Sequence, residues 1–283
     1  MDTDEPGPGV GGRLRSRLAR VPVAARLLAE FMRIEFIDRC MLIAAQGLLA
    51  LIPVLVVLSA FLPQLSDAAV RVFATAAGVG AEGTAVIGGE VSLDQVRTQT
   101  GVIGLLITIF SASSFARAIQ RMYESVWGIG HIGGVSGFRR CLTWLIGWLV
   151  TLQFVAALRT LIRGIDGGLG DAIGFGLQCV ILSAIWWVTA WMLLFGRVSW
   201  ASLALGAWLT GCLGVLYNRI SARVMPIYVD ANADQFGTLG VILAVTTWLI
   251  GFAGVMVASA LVGRVVWEET SLSRVAKRLK LTR

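Results

Sequence analysis

A single histidine, His131, stands among 283 residues. A metal-dependent nuclease needs several His and Asp ligands around its ions, so that class is close to excluded. No H-E-x-x-H, G-x-S-x-G or Walker A sequence is present either, and no enzymatic activity or cofactor is expected. The four cysteines, Cys40, Cys141, Cys179 and Cys212, lie far apart and form no C-x-x-C pair. Neither a zinc site nor a disulfide framework follows from them, and they are expected to be packing residues. Charge is scarce, at 14% of the chain against about 25% in soluble domains. What fills the space is apolar: 57% hydrophobic residues and a mean hydropathy of +0.79. A water-soluble globule of this composition would expose large apolar patches.

Six apolar runs follow one another, bounded by charged residues: 39–67, 97–117, 140–159, 171–197, 197–219 and 234–264. Each leaves room for roughly 18 or more uncharged residues, the working length of a spanning helix. The fourth and fifth runs share only Arg197, which predicts a tight hairpin with Gly196, Arg197, Val198 and Ser199 as its turn. The fold class is therefore all-α, a polytopic membrane bundle of six transmembrane helices over residues 40–263. Residues 1–12 are acidic and Gly/Pro-rich and are expected to be disordered, with no cleavable signal. Residues 13–39 predict an amphipathic cytoplasmic or interfacial helix, with Leu27, Leu28, Phe31, Ile34 and Ile37 on one face and Arg26, Glu30 and Arg33 on another. Residues 264–283 form a basic cytoplasmic tail.

Orientation follows from Lys and Arg. With the N-terminus inside, 18 of the 24 basic residues fall on the inner side and six on the outer. Both termini are thus expected in the cytoplasm, with the net charge of +7 serving topology and attraction to anionic lipid rather than nucleic acid. Trp127, Trp144, Trp200 and Trp267 then fall near the inner interface. Membrane lipids are the expected partners, together with a second copy of the chain or another membrane protein. Beyond Ser111, Ser113 and Ser114, the stretch carrying Arg117, Arg121 and Glu124 predicts a helical continuation anchored at the headgroups, with Arg121 and Glu124 paired. His131, in a Gly-rich loop, is expected to be solvated. The segment 219–234 is expected to be an outer loop whose opposite charges pair.

The last run has a stripe of small residues at steps of three and four: Gly237, Gly240, Ala244, Thr247, Gly251, Gly254 and Ala258. On a helix these share one face and let a neighbour approach closely. Gln235-Phe236-Gly237-Thr238-Leu239-Gly240 echoes Gln99-Thr100-Gly101-Val102-Ile103-Gly104, which suggests two comparable seams. Candidate packing or pathway residues are Gly101, Gly104, Gln153, Gln178, Gln235, Gly237, Gly240, Ala244, Thr247 and Gly251. Pro53, in the middle of the first run, is a candidate hinge, or else a fixed kink used for packing.

Three stretches carry a family resemblance: Asp38-Arg39 with MLIAAQGLLALIPVLVVLSAFLP, then GVIGLLITIFSASSFARAIQRMYESVWGI, then VSWASLALGAWLTG running to DQFGTLGVILAVTTWLIGFAGVMVASALVG. In this order and spacing the chain resembles the YihY/BrkB family of bacterial inner-membrane proteins. The resemblance implies six transmembrane helices with both ends cytoplasmic, and roles in envelope integrity and transport. The family was formerly labelled ribonuclease BN, which the missing metal ligands contradict. The chain departs from the family pattern at Leu205-Gly206-Ala207, Phe236-Gly237 and Ser259-Ala260-Leu261. At the last of these the family carries an acidic residue where Leu261 stands. The expected function is movement of a lipid or other amphipathic envelope component; the alternative is a scaffold that binds partners and transports nothing.

Overall fold

Charged residues divide this sequence into runs, but its helices do not stop at them. The computed structural model describes residues 22–61, 102–131, 134, 137–148, 151 and 168–281. Seven helices are described: α1 (Pro22–Arg33), α2 (Phe36–Phe61), α3 (Val102–Trp127), α4 (137–148), α5 (Gly168–Leu193), α6 (Trp200–Phe236) and α7 (Thr238–Leu281). No strand occurs among the described residues. Residues 1–12, Gly101, Gln153 and the whole segment 67–97 between the first two apolar runs lie outside them.

Helices α6 and α7 are 37 and 44 residues long. The segment 219–234 is therefore not a loop, as the charges suggested, but the second half of α6, helical even at Pro226. The reason is its inner face. Met225 and Val229 pack with Val241, Ala244, Val245 and Trp248 of α7 in a separate apolar cluster. Arg219, Arg223, Asp230 and Asp234 remain on the outside of the same helix. Their expected pairing is not made among the described residues; Arg219 instead sits over the Phe175 ring, 4.6 Å from its centroid. Gly237, expected inside the last span, is the cap between α6 and α7. Its φ of 59° with ψ of −138° is a pairing that favours a residue without Cβ, and its N–H donates to the Ala233 carbonyl at 2.7 Å.

From this cap α7 runs back along α6, and the two helices touch where side chains are smallest. Gly240 lies against the Asn232 backbone, Gly251 against the Tyr217 hydroxyl, and Gly263 against Gly206. The expected small-residue seam is thus present at Gly240, Ala244 and Gly251. Thr247 is a correction: it is exposed and its hydroxyl donates to the Leu243 carbonyl at 2.9 Å. At about 100° per residue Gly240, Ala244 and Gly251 share a narrow arc, and Thr247 stands just outside it on the open side.

Helix α5 joins α6 through a turn over 194–199, with Phe195 and Gly196 at φ 60° and 68°. Gly211 of α6 meets the Ser183 backbone of α5 closely. An aromatic ladder then crosses the bundle. Phe115, Trp144, Trp148, Trp186 and Phe252 follow one another with centroids 5.7 to 6.4 Å apart, joining α3, α4, α5 and α7. Trp144, expected at the interface, is buried in this ladder and donates to Thr189 Oγ1 at 3.2 Å. The stretch expected as one helix over 13–39 breaks at Ile34–Glu35, where Glu35 takes a φ of 54°, and residue 36 already belongs to α2. Positions 53 and 104 fall inside the helical backbone of α2 and α3.

Among the described residues three helices are long and apolar enough to cross a membrane: Gly174–Leu193, Trp200–Phe236 and Thr238–Thr270. Their outward faces carry the apolar residues. On α6, Leu213, Leu216, Ile220, Val224 and Ile227 are exposed in one stripe, while Gly206, Ala207, Thr210, Gly211 and Gly214 face inward. Small residues inside and large aliphatics outside are what a helix packed in lipid requires.

Candidate functional site

Glu124 is the only acidic residue between Asp94 and Asp166. It lies in the last turn of α3 and is 3% exposed. A carboxylate so far from water needs partners on both oxygens. Oε1 accepts from Gln120 Nε2 at 2.9 Å and from Arg197 Nη2 at 3.1 Å. Oε2 lies 2.7 Å from His131 Nδ1. Gln120 extends the network, its Oε1 accepting from the Cys141 thiol at 3.6 Å. Arg197 also donates to the Gly130 carbonyl at 2.8 Å and to the Leu194 carbonyl at 3.3 Å. One carboxylate thereby fastens α3, the loop after it, the start of α4 and the α5–α6 turn.

Three expectations are corrected here. Glu124 is a buried hub rather than a headgroup anchor, its described partners include Arg197 and His131 rather than Arg121, and His131 is engaged rather than merely solvated. The physical reason is position. Past Trp127 the chain turns at Gly128, with the Ile129 N–H returning to the Glu124 carbonyl at 2.9 Å, which swings His131 back onto the helix end.

A second polar cluster sits beside the first. Arg264 of α7 donates to the Val126 carbonyl, and Arg33 donates to the Ser125 carbonyl at 3.1 Å. Two guanidinium groups thus satisfy the last carbonyls of α3, the favourable arrangement for cations at a helix C-terminus. Arg264 also meets Glu268 at 2.7 Å and Glu30 at 3.5 Å, while Arg26 bonds Glu268, and Glu269 at 2.8 Å. These bonds hold the charged face of α1 on α7. The Glu269 hydrogen bond is the largest cause raising the Arg26 pKa above the ordinary arginine value, with burial working against it. Each partner is about a third exposed, so Arg26→Ala is expected to cost about 1 kcal/mol or less in global stability. Its clearer effect should be faster proteolysis in the α1–α2 connection. An unchanged cleavage rate would show that α1 is held by other contacts.

The polar candidates from the sequence do not converge. Gln178 is half-buried on α5, Gln235 is exposed at the end of α6, and the hydroxyls of Ser202, Thr210 and Ser259 are buried along the α6–α7 seam. Ser259 Oγ has no hydrogen-bond partner among the described residues. Leu261, at the position where the resemblance implied an acid, is fully buried in the main core. Sequence reasoning missed the Glu124 network; the available signal was one carboxylate alone between Asp94 and Asp166, a stretch holding seven arginines. No group of metal-ligating side chains occurs among the described residues.

Long helices with apolar outer faces, and charged networks gathered at the ends of α3 and of the α5–α6 hairpin, define an integral membrane protein. The chain belongs to the family described as Virulence factor BrkB, whose model matches residues 31–278. No curated protein and no solved structure matches it.

Proposed function

We propose that the chain is a multi-pass protein of the bacterial inner membrane, with six spans and both termini cytoplasmic, that moves a lipid or other amphipathic envelope component. The observation that carries this reading lies in α6 and α7. From Trp200 to Asn218, and from Thr238 to Gly263, neither helix has a charged residue, and the buried polar groups along the seam include the hydroxyls of Ser202, Thr210 and Ser259. A passenger with a long apolar part needs no ion-type site, whereas ion-coupled pathways are usually marked by intramembrane acids or bases.

A second reading, a scaffold that transports nothing, is favoured by the closure of that seam. The crevice beside Gly206, Gly263 and Tyr123 holds about 10 Å³, too little for any passenger. Reconstitution in liposomes with a lipid-scrambling readout separates the two. Scrambling well above protein-free liposomes is expected. Folded protein that leaves every lipid mixture unscrambled would overturn the transport reading and leave the scaffold.

Orientation has its own test. A cysteine at Asp230 should react with an impermeant maleimide on intact cells, and one at Arg121 only after permeabilisation. Both positions are exposed, while Cys40, Cys141 and Cys179 are buried and Cys212 partly so. The opposite pattern would invert the topology.

A further inference from the structure

The outer face of α3 changes chemistry along its length. Leu106, Phe110, Ser114, Arg117 and Arg121 succeed one another at steps of four, four, three and four, so they share one stripe. Leu106 and Phe110 are 59% and 68% exposed. Ser114 marks the transition, donating to the Phe110 carbonyl at 2.9 Å and accepting from Arg117 Nη2 at 3.3 Å. Beside the apolar half lies an open recess of about 450 Å³, lined by Leu106, Ile107, Ile109, Phe110 and, from α4, Phe138. The two residues after Phe138 are Arg139 and Arg140, both exposed, with the Arg140 guanidinium 4.4 Å above the Phe195 ring. Among the described residues no carboxylate pairs with Arg117, Arg121, Arg139 or Arg140. The one acid nearby in sequence, Glu124, is already bonded to Arg197, His131 and Gln120.

We infer that this face binds an anionic phospholipid, with an acyl chain in the recess between Phe110 and Phe138 and the phosphate at Arg117 and Arg139. The recess is apolar, as a chain requires. On α3 the basic residues lie past the recess, and on α4 they directly follow its Phe138, so both sets border the place where a headgroup would stand; among the described residues no acid pairs with them. Arginine presents a planar fork of donors that matches phosphate. The inference rests on the bundle lying in a bilayer, and it gives the proposed passenger class a headgroup charge.

The test uses the full chain in nanodiscs of phosphatidylcholine, doped with phosphatidylglycerol bearing a diazirine near the end of one acyl chain. After irradiation, peptide mass spectrometry should place adducts around Phe110 and Phe138. Unlabelled phosphatidylglycerol should compete, while phosphatidylcholine and glycerol phosphate should not. At sub-saturating probe, Arg117→Gln or Arg139→Gln should each lower the yield about fivefold, Arg117→Lys much less. Phe110→Ala, at an exposed position, should lower the Phe138 adduct while leaving the protein monodisperse. Equal labelling by a phosphatidylcholine probe, competition by glycerol phosphate alone, or yields indifferent to both glutamine variants would overturn the site. Scrambling without headgroup preference would leave the transport reading standing while removing this site. Selective labelling without scrambling would do the reverse.

Discussion

Glu124→Ala is expected to lower the stability of the purified protein by about 3 kcal/mol, the low end of the range for breaking a buried ion pair. The low end applies because the group left behind, Arg197, keeps 28% of its side chain exposed and two backbone carbonyl acceptors. In a chain of this size the shift corresponds to roughly 6–12 °C in the midpoint of thermal unfolding. Arg197→Ala leaves a different residue in difficulty. Glu124 then keeps a buried carboxylate that has lost its Arg197 partner, with His131 and Gln120 still bonded to it. A double-mutant cycle on Glu124 and Arg197 should therefore return a coupling energy of about 1–3 kcal/mol. His131→Ala should cost less, because the ring is 53% exposed and solvent can replace it. Additive single effects, with no coupling, would mean that the network does not act as a unit. A midpoint within 2 °C of the parent for Glu124→Ala, in the same detergent, would remove it from the interactions that hold the α5–α6 turn.

Helical class was legible in the sequence where hydrophobicity alone decides it, as in the hairpin at Arg197 and the seam at Gly240 and Gly251. Helix ends were not. Charges at Arg219, Asp234 and Arg264 bound the apolar runs, yet α6 runs on to Phe236 and α7 to Leu281. A charge ends a lipid-facing segment because of its solvation; it does not break backbone hydrogen bonds. The continuation of α6 depends on Met225 and Val229 meeting α7, a contact between residues up to about twenty positions apart that local pattern does not reveal. The Glu124 network was hidden for a related reason. Arg197 is 73 residues from Glu124, and local pattern gives each only a local role, as turn or headgroup anchor. His131 is seven residues away, but only the backbone reversal at Gly128 brings it within reach. The lone histidine that argued against metal chemistry is accounted for by packing at a helix end.

Gly263→Leu is expected to abolish the native bundle. A Cβ built on Gly263 falls 2.5 Å from both Cα and N of Gly206, so backbone, and not a mobile side-chain tip, stands in the way. Even Gly263→Ala should cost about 1–3 kcal/mol, the usual range for overpacking, since α6 and α7 must separate to admit one methyl. Separation is expensive here because Ala260 and Leu261 share one buried core with Leu203 and Ala207, and the Ser259 carbonyl lies against Gly206. In lipid the helices have no solvent-driven burial to compensate, and dispersion falls steeply with a gap of half an ångström. Gly254→Ala supplies the control: its Cβ would meet only the tip of the Phe36 ring, at 3.8 Å, and should be tolerated. The measurement is the monodisperse fraction by size exclusion, followed by thermal unfolding of what survives. The expected order of stability is parent, Gly254→Ala, Gly263→Ala, then Gly263→Leu with no folded fraction. A folded Gly263→Leu that keeps the parent midpoint would show that α6 and α7 do not meet at this crossing. A folded variant that loses only lipid movement would make the seam part of the path rather than the joint that holds the bundle closed.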